Sequence, residues 1–207
     1  MKILYLVGAG GYAKSVLDSL DVYQYKFKGF IDDIKKDNHL GYPIFGDSLE
    51  NIEITKDTYF FISIGDNKKR KSWFEKIKKA GGKFVNIIDA SAIVSKNAKI
   101  GEGCFVGKMA IINSNVTVGD NCIINTKALV EHGCTVLNHV NVSTNAVLNG
   151  DVRVEASAFI GSSSVVNGQL LIGKEAIVGS GAVVVQTVPS KSTVIGIPAK
   201  IMKEDKK

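Results

Sequence analysis

Two of the three histidines in the chain lie in one short stretch, LVEHGCTVLNHVNV at residues 129–142. An imidazole titrates near physiological pH, so histidine is the side chain best suited to accept a proton as a general base. His132 directly follows Glu131, and His139 lies further along the same stretch. The chemistry open to each ring depends on the direction in which the surrounding structure points it.

A glycine-rich stretch near the N-terminus is the second candidate for chemistry. Gly8, Gly10 and Ala13 satisfy the pattern G-x-G-x-x-A between an apolar, strand-like run and a helical pattern. Such a turn directs backbone N–H groups and a helix N-terminus towards a phosphate group. By itself the pattern is a weak signal, and a purely structural glycine turn is its alternative.

Polar residues end the next two predicted strands near the same crevice. Asp32 and Asp33 end the second strand, where a carboxylate commonly meets a ribose or a base edge, and Asn67 and Arg70 follow the third. We therefore expect a mononucleotide or nucleotide-sugar site in preference to an NAD site, because a second mononucleotide-binding half is missing. The expected substrate-binding residues are Gly8, Gly10, Gly11, Tyr12, Asp32, Asp33, Gly65, Asn67 and Arg70.

The elements that position these residues follow a different pattern in each half of the chain. In the first half, strand patterns at 3–7, 28–33 and 58–65 alternate with two helical patterns, which predicts a small Rossmann-like α/β unit. The second helical pattern carries the basic run 68–71. We interpret this run as the solvated face of the helix and not as a nucleic-acid-binding patch.

From Ile88 to Val184 an aliphatic residue occurs at every sixth position without exception. A second set, two residues before each of these, is mostly small and contains all three cysteines. This period is the hexapeptide signature of an all-β parallel β-helix, in which three hexads form one triangular coil. The cysteines are then small inward residues and not nucleophiles or metal ligands. The predicted domains are residues 1–87 (Rossmann-like, nucleotide-sugar-binding), 88–188 (β-helix) and 189–207 (C-terminal tail).

Composition excludes several classes of protein. The net charge is +6, but aromatic residues are not interleaved with the basic ones, so we expect no nucleic-acid partner. No apolar run suits a signal peptide or a membrane span, and we expect a cytoplasmic protein. Three cysteines without a CxxC pair predict neither a disulfide framework nor a zinc site, and we expect no metal.

In the hexad frame neither histidine of the stretch occupies an inward position. His132 lies two residues after Val130, and His139 lies three residues after Val136. Both rings therefore point outward from the prism. We interpret His139 as a solvated polar residue. The motif around His132 makes it the better candidate for a functional histidine.

The motifs GAGGYAKSVLD, FIDD, SIGDNKKR, NTKALVEHGC and GIPAK follow one another along residues 1–203. In this the chain resembles the sialic-acid O-acetyltransferase family of hexapeptide-repeat sugar acetyltransferases, which includes bacterial enzymes that N-acetylate UDP- or dTDP-linked amino sugars. The resemblance implies a left-handed β-helix, a homotrimer, and acetyl-CoA bound in the groove between adjacent prisms, which makes residues 88–188 the acetyl-CoA-binding domain. It also implies that the N-terminal unit holds the nucleotide of the sugar.

The resemblance implies roles for single residues as well. The family motif V/I-E-H-x-C matches residues 130–134, which makes His132 the general base. Asn125 matches a polar position near the acceptor, and Gly150 matches a glycine whose N–H stabilises the thioester oxygen. The expected catalytic residues are His132, Glu131 and Asn125, and the expected acetyl-CoA-binding residues are Asn141, Gly150, Ser162, Ser180, Pro198 and Lys200.

Two departures from the family pattern bear on catalysis. Gly133 stands where many relatives have Glu or Asp to orient the histidine, and Asn141 stands where many have a second histidine. We predict direct transfer of acetyl from acetyl-CoA to the amino group of a nucleotide-linked amino sugar for surface-glycan synthesis. The alternatives are O-acetylation of a sialic acid or a related sugar, and a non-catalytic nucleotide-sugar-binding scaffold.

Overall fold

The structure, a computed structural model, describes residues 2–35 and 37–202. Its N-terminal unit contains β1 (Lys2–Val7), α1 (Gly11–Asp18), β2 (Tyr25–Ile31), β3 (Asn38–His39), β4 (Tyr42–Pro43), β5 (Thr58–Ile62), α2 (Asn67–Lys79) and β6 (Lys83–Phe84). Strands β2, β1, β5 and β6 form a parallel sheet in that order. The predicted Rossmann-like unit is thereby confirmed.

The two helices begin differently, and the difference bears on the site. The carboxylate of Asp66 accepts a hydrogen bond from the N–H of Lys69 and so caps α2. In the described chain no side chain caps α1, which follows Gly10. Phe74 and Ile77 belong to the apolar face of α2 and pack in one buried cluster with residues of the sheet. Within residues 2–35 and 37–202, neither helix has the length and apolar character needed to cross a membrane.

The rest of the described chain forms a triangular prism of two-residue parallel strands, and each coil adds one strand to each of three faces. The first face contains Ile87–Ile88, Phe105–Val106, Ile123–Ile124, Asn141–Val142, Phe159–Ile160, Ile177–Val178 and Thr193–Ile195. The second face contains Ile93–Val94, Ile111–Ile112, Leu129–Val130, Val147–Leu148, Val165–Val166 and Val183–Val184. The third face contains Lys99–Ile100, Thr117–Val118, Thr135–Val136, Arg153–Val154 and Leu171–Ile172. Ile112 pairs with Val130, so residues 18 apart are stacked neighbours.

Each corner of the prism contains one residue with a left-handed backbone conformation. Every sixth residue from Gly103 to Gly181 has a φ between 55° and 70°. Asn tolerates this conformation better than most residues, and it occupies the position at Asn115, Asn121 and Asn145. The short strand and its corner repeat along the chain and form the left-handed parallel β-helix that the resemblance implies.

The hexad positions line the interior of the prism, and most of them are fully buried. The cysteines are among the small inward residues, as predicted. Each thiol donates a hydrogen bond to a carbonyl in the following corner: Cys104 to Gly119, Cys122 to Leu137 and Cys134 to Asn149. Ile88 is 42% exposed because it belongs to the first coil, which no earlier coil covers.

The prism continues into the region that the sequence pattern assigns to a tail. Thr193–Ile195 extends the first face, and Lys200–Ile201 pairs with it as an antiparallel strand. Val194 and Ala199 are buried in the core of the prism. The predicted boundary therefore falls too early, because the residues that close the prism no longer follow the hexad spacing. Residues 203–207 of the predicted tail lie outside the described residues.

The N-terminal unit packs on the first face of the prism. Leu4 from β1, Phe61 from β5 and Phe105 from the first face belong to one buried cluster. Tyr12 of α1 packs against the same cluster. The two units therefore share a hydrophobic core, which holds the glycine turn in a defined place relative to the prism.

Candidate active site

A cavity of about 340 Å³, called here the glycine cavity, lies beside the carboxyl ends of β1, β2 and β5 at the uncapped end of α1. Seven of the nine predicted substrate-binding residues line it, namely Gly8, Gly10, Gly11, Tyr12, Asp32, Asp33 and Gly65. A Cβ added at Gly10 or Gly11 would meet no atom within 4 Å, so the space in front of the helix is open. An anion can approach the backbone N–H groups there.

The carboxylate of Asp32 holds the glycine turn in place. Its Oδ2 accepts a hydrogen bond from the N–H of Ala9 at 2.6 Å, and its Oδ1 accepts from Ile34 and Lys35 at 2.9 and 2.8 Å. Burial acts to raise the pKa of this carboxyl, but the three N–H donors outweigh burial and the pKa lies below its ordinary value. Asp32 therefore shapes the cavity as an anion, while Asp33 is exposed at its rim.

Tyr12 packs against the prism as well as lining the glycine cavity. Its ring meets Phe105 edge to face, with 5.3 Å between the ring centroids. The hydroxyl is buried and has no hydrogen-bond partner among the described residues. Burial raises the pKa of this hydroxyl well above its ordinary value, so it stays protonated. The aromatic ring joins α1 to the first face and fixes one wall of the cavity.

Arg70 does not line the glycine cavity, contrary to the prediction. Its side chain is 1% exposed, and its guanidinium donates hydrogen bonds to the carbonyls of Asn121 and His139 in the prism. It also donates to the carbonyls of Ile64 and Gly65 in the N-terminal unit. The basic run on α2 is thus not wholly solvated, because buried corner carbonyls need a donor at this position.

Asn67, like Arg70, forms hydrogen bonds that join the N-terminal unit to the prism. Its Nδ2 donates to the carbonyls of Ser157 and Ala158, both at 3.0 Å, and its Oδ1 accepts from Arg70 at 2.8 Å. It does not line the glycine cavity, contrary to the prediction. It borders a second cleft, of about 510 Å³, between the start of α2 and the first face, and Gly65 borders both spaces.

His139 is not the solvated residue that the hexad frame predicts. It is 8% exposed, its ring packs against Phe74 with 5.5 Å between centroids, and its Nδ1 lies 2.9 Å from Nδ2 of Asn121. Burial, followed by the charges of Arg70 and Lys71, lowers the pKa of His139 to about 4. The hexad frame sets only the outward direction, and α2 covers the corner towards which this ring points.

His132 is exposed at the corner between the second and third faces, and its ring lies over Gly150 in the next coil. A Cβ at residue 150 would lie 2.5 Å from Cε1 and 2.8 Å from Nε2 of the ring, so the ring keeps this place only over a glycine. The carboxylate of Glu131 accepts from the backbone N–H of His132 at 3.2 Å and not from its ring. In the described chain the ring has no hydrogen-bond partner and is open to a ligand.

The other predicted catalytic and acetyl-CoA-binding residues are spread over the prism. Asn125, Ser162 and Ser180 lie along the edge between the first and second faces, and Pro198 and Lys200 lie at the end of the first face. Asn141 is buried on the first face, and its Nδ2 lies 3.5 Å from the carbonyl oxygen of Gly65. One chain therefore does not bring these residues together with His132.

The glycine cavity also includes Ile34, Lys69 and Trp73, which the sequence reasoning does not single out. Ile34 follows the two aspartates directly. Lys69 and Trp73 are four residues apart on α2, so they share one face of the helix. In the sequence, the four-residue spacing of Lys69 and Trp73 within the helix that follows the third predicted strand is the signal that could have identified these two residues.

The described residues around His132 form no metal-binding cluster, and the thiol of Cys134 is buried. No three His, Cys, Asp or Glu side chains within the described ranges are placed to hold a metal ion. Burial raises the pKa of the Cys134 thiol to about 11, so this neighbour of His132 remains a neutral thiol. The proton acceptor open to a ligand at this corner is therefore the imidazole of His132.

Two family models match the chain. Residues 3–77 match the PglD N-terminal domain, and residues 97–131 match the bacterial transferase hexapeptide (six repeats). The first match lies in the N-terminal unit and the second in the prism.

Solved structures similar to this chain include acetyltransferases. One is perosamine N-acetyltransferase from Caulobacter crescentus, as a histidine-to-asparagine variant in complex with CoA and GDP-perosamine, with 33% identity, a TM-score of 0.92, and coverage of 99% of this chain and 98% of that chain. Another is the acetyltransferase domain of PglB from Neisseria gonorrhoeae in complex with acetyl coenzyme A, with 30% identity, a TM-score of 0.92, and coverage of 97% and 99%.

Curated relatives match over a shorter range. UDP-N-acetylbacillosamine N-acetyltransferase of Bacillus subtilis is 35% identical over 115 residues, which cover 51% of this chain and 51% of the relative. An uncharacterised protein of Acanthamoeba polyphaga mimivirus is 35% identical over 107 residues, 50% of this chain and 21% of that protein. The matched region thus spans about half of one curated relative and about a fifth of the other.

Two of these relatives are named as N-acetyltransferases, so the expected resemblance is confirmed at the level of sugar acetyltransferases and not for sialic-acid O-acetyltransferases in particular. The likeness to the Caulobacter enzyme extends over nearly the whole of both chains. The chain therefore belongs to the family of hexapeptide-repeat sugar N-acetyltransferases that carry a PglD N-terminal domain.

Proposed function

We propose that the protein transfers acetyl from acetyl-CoA to the amino group of a nucleotide-linked amino sugar, in the cytoplasm and for surface-glycan synthesis. The observation that carries the proposal is the near full-length similarity to an enzyme solved with CoA and GDP-perosamine. The glycine cavity suits the nucleotide, because an uncapped helix N-terminus and Lys69 both favour a phosphate there. UDP and dTDP sugars are the expected substrates, and the Caulobacter relative adds a GDP sugar to be tested.

His132 is the proposed general base. The amine nitrogen attacks the thioester carbonyl carbon, the C–N bond forms, and the imidazole takes the proton that the amine loses. The C–S bond then breaks, and the thiolate of CoA leaves with that proton as a thiol. In the described chain the N–H of Gly150 has no backbone acceptor, so it is free to donate to the developing oxyanion beside the ring. Transfer is direct, because the Cys134 thiol is buried and neutral.

A homotrimer is part of the same proposal. In one chain the glycine cavity lies on the side of the first face, whereas His132 lies at the edge between the other two faces. The cavity and the ring share no lining residue among those described. A neighbouring copy would bring its edge with Ser162 and Ser180 towards His132, and acetyl-CoA would lie in the groove between the two prisms.

Two other functions are set against this one. O-acetylation of a sialic acid needs deprotonation of a hydroxyl, which is harder than that of an amine and demands a more strongly supported base. The ring of His132 lacks a hydrogen-bonded carboxylate among the described residues, which favours the amine acceptor. The same feature is the observation that favours a non-catalytic nucleotide-sugar-binding scaffold.

A thiol-release assay tests the proposal. It measures free CoA thiol formed from acetyl-CoA with UDP-, dTDP- or GDP-linked amino sugars as acceptors, and free sialic acid is included as a further acceptor. We expect rapid turnover with one nucleotide amino sugar. His132→Asn should lower kcat by about 100- to 10,000-fold, and the control His39→Asn, outside both cavities, should not. If no sugar turns over while a nucleotide still raises the Tm, the scaffold replaces the enzyme.

A further inference from the structure

The corner that carries His132 receives a carboxylate from the next coil. Gly133 has a φ of 70°, and a Cβ added there would overlap Oδ1 of Asp151 and lie 3.1 Å from its Cγ. Asp151 stacks on Gly133 because it follows by one coil of the prism. Its carboxylate thus fills the space in which a side chain at residue 133 would begin.

Asp151 is also tied to His132 through the backbone. The N–H of Asp151 donates a hydrogen bond to the carbonyl of His132 at 2.9 Å. Gly150, which precedes Asp151, lies directly under the His132 ring. The ring points from its own coil towards the next, and the carboxylate points back, so both groups occupy the same corner.

Other residues of the described corner do not offer a carboxylate to the ring. Glu131 directs its Oε2 to the backbone N–H of His132. Ser114, stacked one coil before His132, and Gly168, stacked one coil after Gly150, are uncharged. Asp151 and Glu131 therefore supply the two carboxylates next to His132 at this corner, and of these two only the Asp151 carboxylate is free of a hydrogen bond within the described chain.

We propose that Asp151 is the positioning residue for His132 and replaces, from the next coil, the acidic side chain that Gly133 lacks. This inference rests on the proposed function. During transfer the imidazole holds the proton of the amine and is positively charged until the leaving thiolate takes that proton. A carboxylate in the same corner favours the charged ring and keeps it over Gly150.

The variant Asp151→Asn removes the charge and keeps the size, and Asn tolerates the φ of 60° at this corner. We expect kcat to fall about tenfold while KM for acetyl-CoA and for the sugar stays unchanged. The acidic limb of the kcat pH profile should move down by about half a pH unit, the size of a Coulomb effect at an exposed corner. An unchanged kcat and pH profile would overturn the inference.

A swap of the two residues provides the matched control. Asp151→Gly should lose activity like Asp151→Asn, and Gly133→Asp alone should also lose activity, because it crowds the existing carboxylate. The double variant Gly133→Asp/Asp151→Gly returns a carboxylate to the coil of His132 and should recover most of kcat. A double variant no more active than Asp151→Gly contradicts the assignment.

An NMR titration of the His132 ring, assigned with the His132→Asn variant, needs no turnover. A lower titration midpoint in Asp151→Asn than in the wild-type chain supports the role of Asp151, even if every sugar fails and the proposed function falls. Equal midpoints overturn the role of Asp151, even if the wild type is an active acetyltransferase. A shift in Glu131→Gln without one in Asp151→Asn assigns the role to Glu131 instead.

Discussion

The imidazole of His132 lies on the backbone of Gly150, so close that a Cβ at residue 150 would stand 2.5 Å from Cε1. Gly150 is not among the residues with a positive φ in the described chain, so it is the present place of the ring, and not the backbone conformation, that requires a glycine there. Stacking between coils thus sets the place of the ring. A side chain larger than that of glycine at residue 150 would therefore displace the imidazole of His132, the proposed base.

Gly150→Ala is expected to displace the ring of His132 without unfolding the prism, because alanine suits the backbone at this position. A displacement of about 1 Å at a catalytic group lowers kcat by about 100-fold. Thiol-release kinetics measure the loss, and a thermal melt within a few degrees of wild type is the control. Full activity in a folded Gly150→Ala protein means that the ring does not act from its place over Gly150.

Arg70→Met is expected to destabilise the whole chain, since it removes the buried donor that joins α2 to the corners of the prism. The carbonyls of Asn121 and His139 would lose a charged partner, which costs about 3 kcal/mol or more. Urea denaturation measures the change in the free energy of unfolding. Lys79→Met, at the exposed end of the same helix, is the matched control and should change it little. Equal effects of the two variants refute the structural role of Arg70.

The buried ring of His139 should make folding stability depend on pH. Burial and the charges of Arg70 and Lys71 lower its pKa from 6.5 to about 4 in the folded protein. The unfolded chain therefore binds the proton more readily, and the stability contributed by the neutral ring, complete above pH 6.5, is lost progressively as the pH falls from 6.5 through about 4.

His139→Asn isolates this contribution, since asparagine suits the φ of 64° at that corner. Urea denaturation near pH 7 and pH 5 should show a smaller loss of stability on acidification for the variant than for the wild type. Parallel losses in the two proteins mean that the ring does not stay neutral in the fold.

Asp32→Asn is expected to weaken nucleotide binding. The variant places an amide beside three N–H donors that a carboxylate now satisfies, and so loosens the turn at Ala9. We expect the Kd for the nucleotide sugar to rise about tenfold, with KM for acetyl-CoA unchanged. Isothermal titration calorimetry measures the Kd. Asp33→Asn, which leaves the turn intact, should have a smaller effect, and the reverse order refutes this role of Asp32.

Much of the fold follows from the order of residues alone, because both halves are built on short periods. The six-residue spacing of aliphatic side chains from Ile88 to Val184 predicts the coils of that range, and the strand and helix patterns predict the parallel sheet. The glycine cavity is also predictable, since the carboxyl ends of neighbouring parallel strands meet at one edge. The periodicity stops being informative after Val184, so the strands Thr193–Ile195 and Lys200–Ile201 that close the prism are not predicted.

The sequence by itself determined the inward and outward direction of each residue in the prism, the two-unit order, and the glycine turn at Gly8–Gly11. Only the tertiary structure decided what covers each outward side chain: α2 buries His139 and turns Arg70 inward, while His132 stays open. It also decided which residues stack on one another, and so brought Asp151 to the gap at Gly133. The reason is physical: direction is a local property of a repeating backbone, whereas burial depends on elements far apart in the chain.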